Sequence, residues 1–411
     1  MLISTFDALP SFKLFSSSHC DYWVDRLSHV FTVLLLLAFA ITVSTASLVG
    51  TPISCWVPAE FETGTKSFEQ YVNAYCWMKN TYHIPMLEEI PTDVLNRQQE
   101  EITYYQWVPL IFLLQALLFK LPHILWKMLR NNCGLDLEKL CKTAGNTQCH
   151  SPTERSETIS VIVFSFLCWI KCRQRYIKKN VCVRAKTWLS RFCCFYGNKR
   201  EGTFLTALYL TIKLLYLINV IGQIFLLNAF ITTDKSVYAL EWLGSFHSGS
   251  SFLESKRFPK VTLCDYQIRQ MNNVKRYTVQ CVLPVNLFNE KLFLFLWFWF
   301  CLLAILNIFS MVNWFYLTVW KKNNYNFVMK YFKIDGKKLQ QADKEACKKF
   351  TDDFLRDDGC FLVRMVGINS SELVVIDLLK ELFTQYQKDQ KQSEAISHDV
   401  NQNETEQKDV K

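Results

Sequence analysis

Four stretches of this chain are long and apolar enough to call for a hydrocarbon surrounding. A bilayer core takes about 20 mostly apolar residues as helix, because every backbone amide must be satisfied internally where water is absent. The first stretch runs over residues 27–48, inside a segment without Lys, Arg, Asp or Glu that extends from Leu27 to Ala59. Its last turns, with Thr42, Ser44, Thr45 and Ser47, are polar. The second covers 105–125, with Lys120 and His123 near one end and Pro109 and Pro122 inside. The third covers 204–230, with Lys213 about two turns in, and the fourth, 292–320, has no charged residue. A fifth apolar run, Ile159 to Ile170, is too short to span and reads as a buried helix of a soluble domain. Half the chain is apolar and 15% is aromatic, which agrees with a membrane class.

Orientation follows from where Lys and Arg flank the spans. Residues 49–104 hold three basic residues (Lys66, Lys79, Arg97) against eight acids, whereas 126–203 hold fifteen against five. The first segment is therefore expected outside and the second in the cytoplasm. Residues 231–291 carry eight against five, and strict alternation places them outside; six lysines in 321–338 then put both termini in the cytoplasm. The net charge of +9 is thus topological, and no nucleic-acid partner is expected. Lys213 is expected to snorkel toward the headgroups, and the two prolines to kink the second span. The first residues lack a secretory core and cleavage site, so the amino terminus is expected to be retained.

This topology sorts the sixteen cysteines. Only Cys55, Cys76, Cys264 and Cys281 face an oxidising exterior, two in each outer loop. Four cysteines allow three connectivities: loop-to-loop bridges, or two local staples, and spacing does not choose. Of the rest, Cys301 is in the fourth span and eleven are in cytosolic segments, where thiols are expected to stay reduced. The group Cys168, Cys172, Cys182, Cys193 and Cys194 lacks the paired spacing of a zinc site. No H-E-x-x-H, phosphate loop or nucleophile elbow occurs, so neither catalysis nor a cofactor or metal is expected.

The strings beside the spans carry a family resemblance. Tyr104-Tyr105-Gln106-Trp107-Val108-Pro109 precedes the second span and resembles the innexin signature, with Leu110 in place of the usual Phe. Residues 50–61, Tyr75-Cys76-Trp77, Val285 to Lys291 and Phe354-Leu355-Arg356-Asp357-Asp358-Gly359-Cys360 are similar to other parts of the same family. Connexins, with three cysteines per outer loop, do not fit. The resemblance implies a gap-junction channel subunit, forming an octamer alone or with other innexins and docking with the hemichannel of an apposed cell. It also implies nested disulfides, Cys55 with Cys281 and Cys76 with Cys264, and a funnel of residues 1 to about 20, including Leu2, Ile3 and Phe6, at the cytoplasmic mouth.

The expected fold is mainly α: a polytopic four-helix transmembrane bundle with disulfide-linked extracellular loops and a helical cytoplasmic domain. Its parts are a cytoplasmic amino-terminal pore helix (1–26), spans at 27–48, 105–125, 204–230 and 292–320, outer loops (49–104 and 231–291), a cytoplasmic loop domain (126–203), a carboxy-terminal helical domain (321–385) and a disordered tail (386–411). Thr42, Thr45, Glu62, Phe68 and Glu69 join the amino-terminal residues as pore-lining candidates, Phe68 standing where many relatives have Trp. Acids of the first loop suggest a mild cation preference. Asn369 is read as the cap of a helix whose apolar face holds Val375, Leu378, Leu379, Leu382 and Phe383. Partners are other subunits and membrane lipids, in a plasma-membrane junction. The competing readings are an undocked pannexin-like channel and a four-span adhesion scaffold. Neither outer loop carries an Asn-x-Ser/Thr acceptor, which favours docking; the two in the chain, at Asn369 and Asn403, fall on the cytoplasmic side.

Overall fold

The computed structural model describes residues 20–58, 67–86, 88–131, 133–147, 151–174, 202–231, 258–334 and 341–409. Among them, four helices are long and apolar enough to span a membrane: α1 (Trp23–Leu48), α4 (Val108–Asn131), α7 (Phe204–Ile231) and α8 (Pro284–Val319). The remaining helices are α2 (Ser67–Lys79), α3 (Val94–Gln99), α5 (Leu137–Asn146), α6 (Pro152–Gln174), α9 (Lys321–Ile334), α10 (Gln341–Lys349), α11 (Arg356–Asn369) and α12 (Glu372–Asp409). The described residues also hold five strands: β1 (Ser54–Cys55), β2 (Thr81–Tyr82), β3 (Glu101–Ile102), β4 (Val261–Gln270) and β5 (Asn273–Val282).

The helix limits differ from the apolar runs for local reasons. Helix α1 starts four residues before its run, because Asp25 and Arg26 join the helix, and a π-helical turn at Leu27–Phe31 follows. Helix α8 starts at Pro284, a residue whose missing N–H suits a first turn, eight residues ahead of the uncharged run. Pro109 sits in the first turn of α4 and disturbs nothing; only Pro122 is interior. The polar tail expected to be disordered from residue 386 continues α12 to Asp409. Its Gln, Lys and Glu are good helix formers and it contains neither Pro nor Gly.

The chain's contacts divide into two units. One comprises residues 1–30, 121–216 and 306–411. Its core gathers Leu140 and Ala144 of α5, Phe166 of α6, Val328 of α9, Phe350 from the turn between α10 and α11, Leu362 and Met365 of α11, and Val375, Leu378, Leu379 and Leu382 of α12. The run Ile159 to Ile170 lies within α6, with Ile162, Val163 and Phe166 buried and Val161 and Phe164 exposed, the pattern of a helix covering a soluble core. Asp358 of α11 accepts a hydrogen bond from the Thr206 amide at 3.0 Å, satisfying an orphan donor in the first turn of α7 with a negative charge. Asn369 ends α11 instead of capping α12: its side-chain amide donates to the Met365 carbonyl at 2.9 Å. An asparagine amide has donors to offer, and the end of a helix presents free carbonyls.

The other unit comprises residues 31–120 and 217–305. Its five strands form one sheet in the order β1-β5-β4-β2-β3. The long hairpin β4–β5 pairs Val261 with Val282 through Gln270 with Asn273, turning on Met271 and Asn272. Within this unit Phe112 of α4 packs on Phe293 of α8 with ring centroids 5.3 Å apart, and Phe119 packs on Phe300 at 5.2 Å.

Candidate functional site

The hairpin alternates with period two, burying Thr262, Cys264 and Tyr266 on β4 and Val279 and Cys281 on β5. Against that face lie Val72 and Cys76 of α2, with Phe68 partly buried beside them. Cys55 is directly opposite Cys281 in the β1–β5 register, and the two are disulfide-bonded. Cys76, which α2 aims at the sheet, is bonded to Cys264. The bridges join residues 226 and 188 positions apart, so the segment after α1 and the segment before α8 form one covalent body. Such closures constrain the unfolded chain by about 2–5 kcal/mol each.

A polar knot reinforces the same body. Asp265, opposite Thr278 in the hairpin, accepts hydrogen bonds from Thr278 Oγ1 (2.6 Å), Tyr82 Oη (2.9 Å) and Arg97 Nη1 (2.9 Å). Lys79 donates to the Asp265 carbonyl at 3.1 Å. Thus α2, β2 and α3 all converge on one residue of β4, β2 and α3 on its carboxylate and α2 on its backbone carbonyl. Burial opposes ionisation of Asp265, but the hydrogen bonds from Thr278, Tyr82 and Arg97 and the Arg97 charge outweigh it, and the carboxyl is held below its ordinary range. Burial, followed by the hydrogen bond to Asp265 and its negative charge, pushes the Tyr82 phenol up to about 12.

The signature before α4 serves the same body. Tyr105 is fully buried, its ring 4.7 Å from that of Trp77, and Gln106 donates to the Trp77 carbonyl. Tyr104 packs edge-on against Phe258 at 5.6 Å. Val108 is buried and starts the helix, Pro109 follows in its first turn, and Trp107 is exposed. The motif therefore anchors the end of α2 over the start of α4. Of the pore-lining candidates, Thr42 and Thr45 are exposed on α1, with hydroxyls donating to Ala38 and Thr42 carbonyls. Glu69 is exposed, while Phe68 turns toward Tyr266, rings 6.4 Å apart. Leu2, Ile3, Phe6 and Glu62 lie outside the described residues.

A family model described as innexin matches residues 21–386. The chain belongs to the innexin family. Among curated innexins, Innexin unc-9 of Caenorhabditis elegans is 39% identical over 367 residues, covering 89% of this chain and 92% of that protein. Innexin-3 of the same organism is 34% identical over 375 residues (91% and 86%), and Innexin-19 of Caenorhabditis briggsae is 33% identical over 387 (89% and 86%).

The innexin chain has a second polar cluster, in the unit that holds residues 1–30. Lys213 does not snorkel: its ammonium is buried, 2.7 Å from Asp25 Oδ1 and 2.7 Å from Ser310 Oγ, over the Tyr22 ring at 4.7 Å. Tyr209 donates to the other Asp25 oxygen at 3.0 Å. Pairing inside the protein replaces the headgroup contact expected from sequence, because Asp25 is buried across from it on α1. Beside this pair, His29 Nε2 is 2.9 Å and His123 Nδ1 is 3.8 Å from Asp21 Oδ2, and the two imidazoles stack at 3.9 Å. Asp21, His29 and His123 each bring a ligand atom within 4.8 Å of the others and all three residues are buried, a grouping whose donor set suits a shared hydrogen-bond network and also a metal ion. Sequence reasoning missed Asp21, Asp25, His29, Tyr209, Ser310, Arg97 and Asp265. The one available signal was that Asp25, just before the first apolar run, and Lys213, about two turns inside the third, are of opposite sign.

Proposed function

We propose that this innexin is a subunit of a gap-junction channel, which oligomerises as an octamer, alone or with other innexins, and docks with a hemichannel of the neighbouring cell to pass ions and small molecules. The observation that carries the reading is the covalent union of both inter-span segments in one sheet through Cys55–Cys281 and Cys76–Cys264. A face that must register against a second copy gains from rigidity, because ordering costs on association are reduced. Exposed apolar side chains on these segments, Trp56, Met86, Met271 and Val274, offer contact area to a docked partner.

In this reading 49–104 and 231–291 are extracellular, 126–203 and 321–385 cytoplasmic, and both termini cytoplasmic in the plasma membrane. Leu2, Ile3 and Phe6 line the inner mouth, Thr42 and Thr45 the outer half of the pore, and Glu62 and Glu69 the vestibule, where their charge favours cations. Phe68 shapes the constriction indirectly, through its packing on Tyr266. Paired cells expressing only this chain test the proposal by dye transfer and electrical coupling. Coupling is expected. Current in single cells without coupling would leave an undocked channel, and neither signal at normal surface expression would leave a scaffold.

A further inference from the structure

A third disulfide is present where the sequence led to reduced thiols: Cys20 is bonded to Cys141, 121 positions away. Cys20 stands three residues before the start of α1, and Cys141 is on the buried face of α5, beside Leu137, Leu140 and Ala144. We propose that Cys20 and Cys141 form a reversible thiol–disulfide site that fastens the root of the amino-terminal segment to helix α5 and so makes the channel mouth responsive to the cytoplasmic glutathione couple. The proposal rests on the orientation given above, which puts this pair on the reducing side and the two loop bridges on the oxidising side.

Three observations carry it. First, a bond in a compartment rich in low-molecular-weight thiols is formed or broken according to its potential against that pool, whereas one facing outside is not exposed to it. Second, Cys20 Sγ lies 3.0 Å from the Leu137 carbonyl, so a reduced Cys20 thiol has an acceptor in place and reduction strands no donor. Third, the residues that follow are already tied to the spanning helices: Asp21 to His29, Tyr22 under Lys213, and Asp25 to Lys213 and Tyr209. The disulfide is the covalent tie between this stitched segment and α5, so opening it replaces that tie with the hydrogen bond from Cys20 to Leu137.

The exchange balances with glutathione disulfide as oxidant. One protein thiolate attacks it, forming a mixed disulfide and releasing one glutathione thiolate. The second protein thiolate attacks the mixed disulfide at the protein sulfur, forming the Cys20–Cys141 bond and releasing the second. The two protons from the protein thiols end on the two glutathiones, and two electrons pass from protein to glutathione. Both sulfurs are buried, so exchange proceeds through local opening and is slower than at an exposed thiol.

The test uses the full chain in cell membranes with the cytoplasmic face exposed to glutathione from fully reduced to fully oxidised, then alkylation, digestion and mass spectrometry. The Cys20–Cys141 cross-linked peptide is expected to be lost in reduced glutathione and regained in oxidised glutathione, while Cys55–Cys281 and Cys76–Cys264 persist throughout. Alkylation of both thiols at every ratio, or a cross-link at every ratio, overturns the proposal. In inside-out patches the current should shift reversibly between the two conditions, and Cys20→Ser and Cys141→Ser, or Cys141→Ala where serine impairs folding, should abolish the shift. A shift that survives in these variants overturns the coupling to the mouth. If the wild-type protein carries no current at all, the channel reading fails, and the peptide measurement still decides the redox site. Reduction of Cys20–Cys141 by an impermeant reductant applied only outside would refute the orientation.

Discussion

Separating Lys213 from Asp25 should damage this protein more than removing both. The ammonium uses two of its three donors, each at 2.7 Å, on Asp25 and Ser310, and presents its remaining face to the Tyr22 ring. At an effective dielectric of about 20, opposite charges at that separation attract by about 6 kcal/mol. Taking the two ions out of water costs several kcal/mol each, so the intact pair is close to break-even. A single change forfeits the attraction and keeps one desolvation cost. Among the described residues, Lys213→Met leaves Asp25 with the Tyr209 hydroxyl, and Asp25→Leu leaves Lys213 with Ser310 and the aromatic faces. Each is expected to lose about 3–5 kcal/mol. The double variant, with neither member of the pair left as an uncompensated charge and with similar volume, should return to within about 1–2 kcal/mol of the parent. The assay is thermal unfolding of the detergent-solubilised protein followed by size-exclusion fluorescence, with surface expression in parallel. Lys330→Met, which breaks an ion pair of two exposed side chains, is the control and should change little. A double variant as unstable as the sum of the singles would refute the reasoning, as would singles no worse than the control.

Further outcomes follow from other sites. The Asp265 carboxyl is held below its ordinary range, so its contribution to the loop sheet is full above the unfolded value near about 3.9 and is lost as pH falls through the lower folded value. Protection of β4 and β5 against hydrogen exchange, taken relative to the intrinsic rate at each pH, should therefore be unchanged from neutral pH to about pH 5 and fall only in stronger acid, and Asp265→Asn should remove that acid dependence while loosening the sheet at neutral pH. Met271 turns the hairpin at φ 54° with 97% of its surface exposed, so Met271→Gly loses no packing and relieves a left-handed residue. A gain of about 0.5–1 kcal/mol is expected in urea unfolding of the loop body, the strain relief exceeding glycine's extra entropy in the unfolded chain. Burial pushes the Cys347 thiol up to about 11 and raises Cys360 further, whereas Cys168 and Cys172 are exposed. Maleimide at neutral pH should label the exposed pair and spare the buried one until the protein unfolds. Replacing both Cys76 and Cys264 by Ser should lower stability by about 2–5 kcal/mol and abolish coupling between cells ahead of surface delivery.

What was legible in the sequence is what a bilayer and a helix period impose locally. The apolar run of α8 and the face Val375, Leu378, Leu379, Leu382 and Phe383 of α12 are signals of a single segment, and the structure buries that face as the period requires. The loop sheet was not legible, because three of its five strands are two residues long and exist only through partners far away in the chain. Thr81 and Tyr82 have no strand pattern of their own; they are a strand because Ile102 and Leu263 flank them. The β4–β5 hairpin did alternate in sequence, but its turn, Met271–Asn272, lacks the glycine that ordinarily marks one.

The cysteines show why compartment reasoning and geometry answer different questions. Sorting thiols by side of the membrane isolated Cys55, Cys76, Cys264 and Cys281, and spacing left their partners open. Partnership depends on α2 turning Cys76 toward the face of β4 that carries Cys264, a fact of tertiary packing. The same sorting classed Cys20 and Cys141 as reduced, because it used the redox state of the surroundings and had no access to their separation. Folding puts α5 against Cys20, and two thiols expected to stay reduced become bonded neighbours. Lys213 follows the same logic: an isolated lysine near a span's end favours the headgroups, and an aspartate brought within 2.7 Å by a second helix reverses that preference. In each case the deciding energy lies in a contact between distant segments, so the residues with the least local signal carry the most specific chemistry.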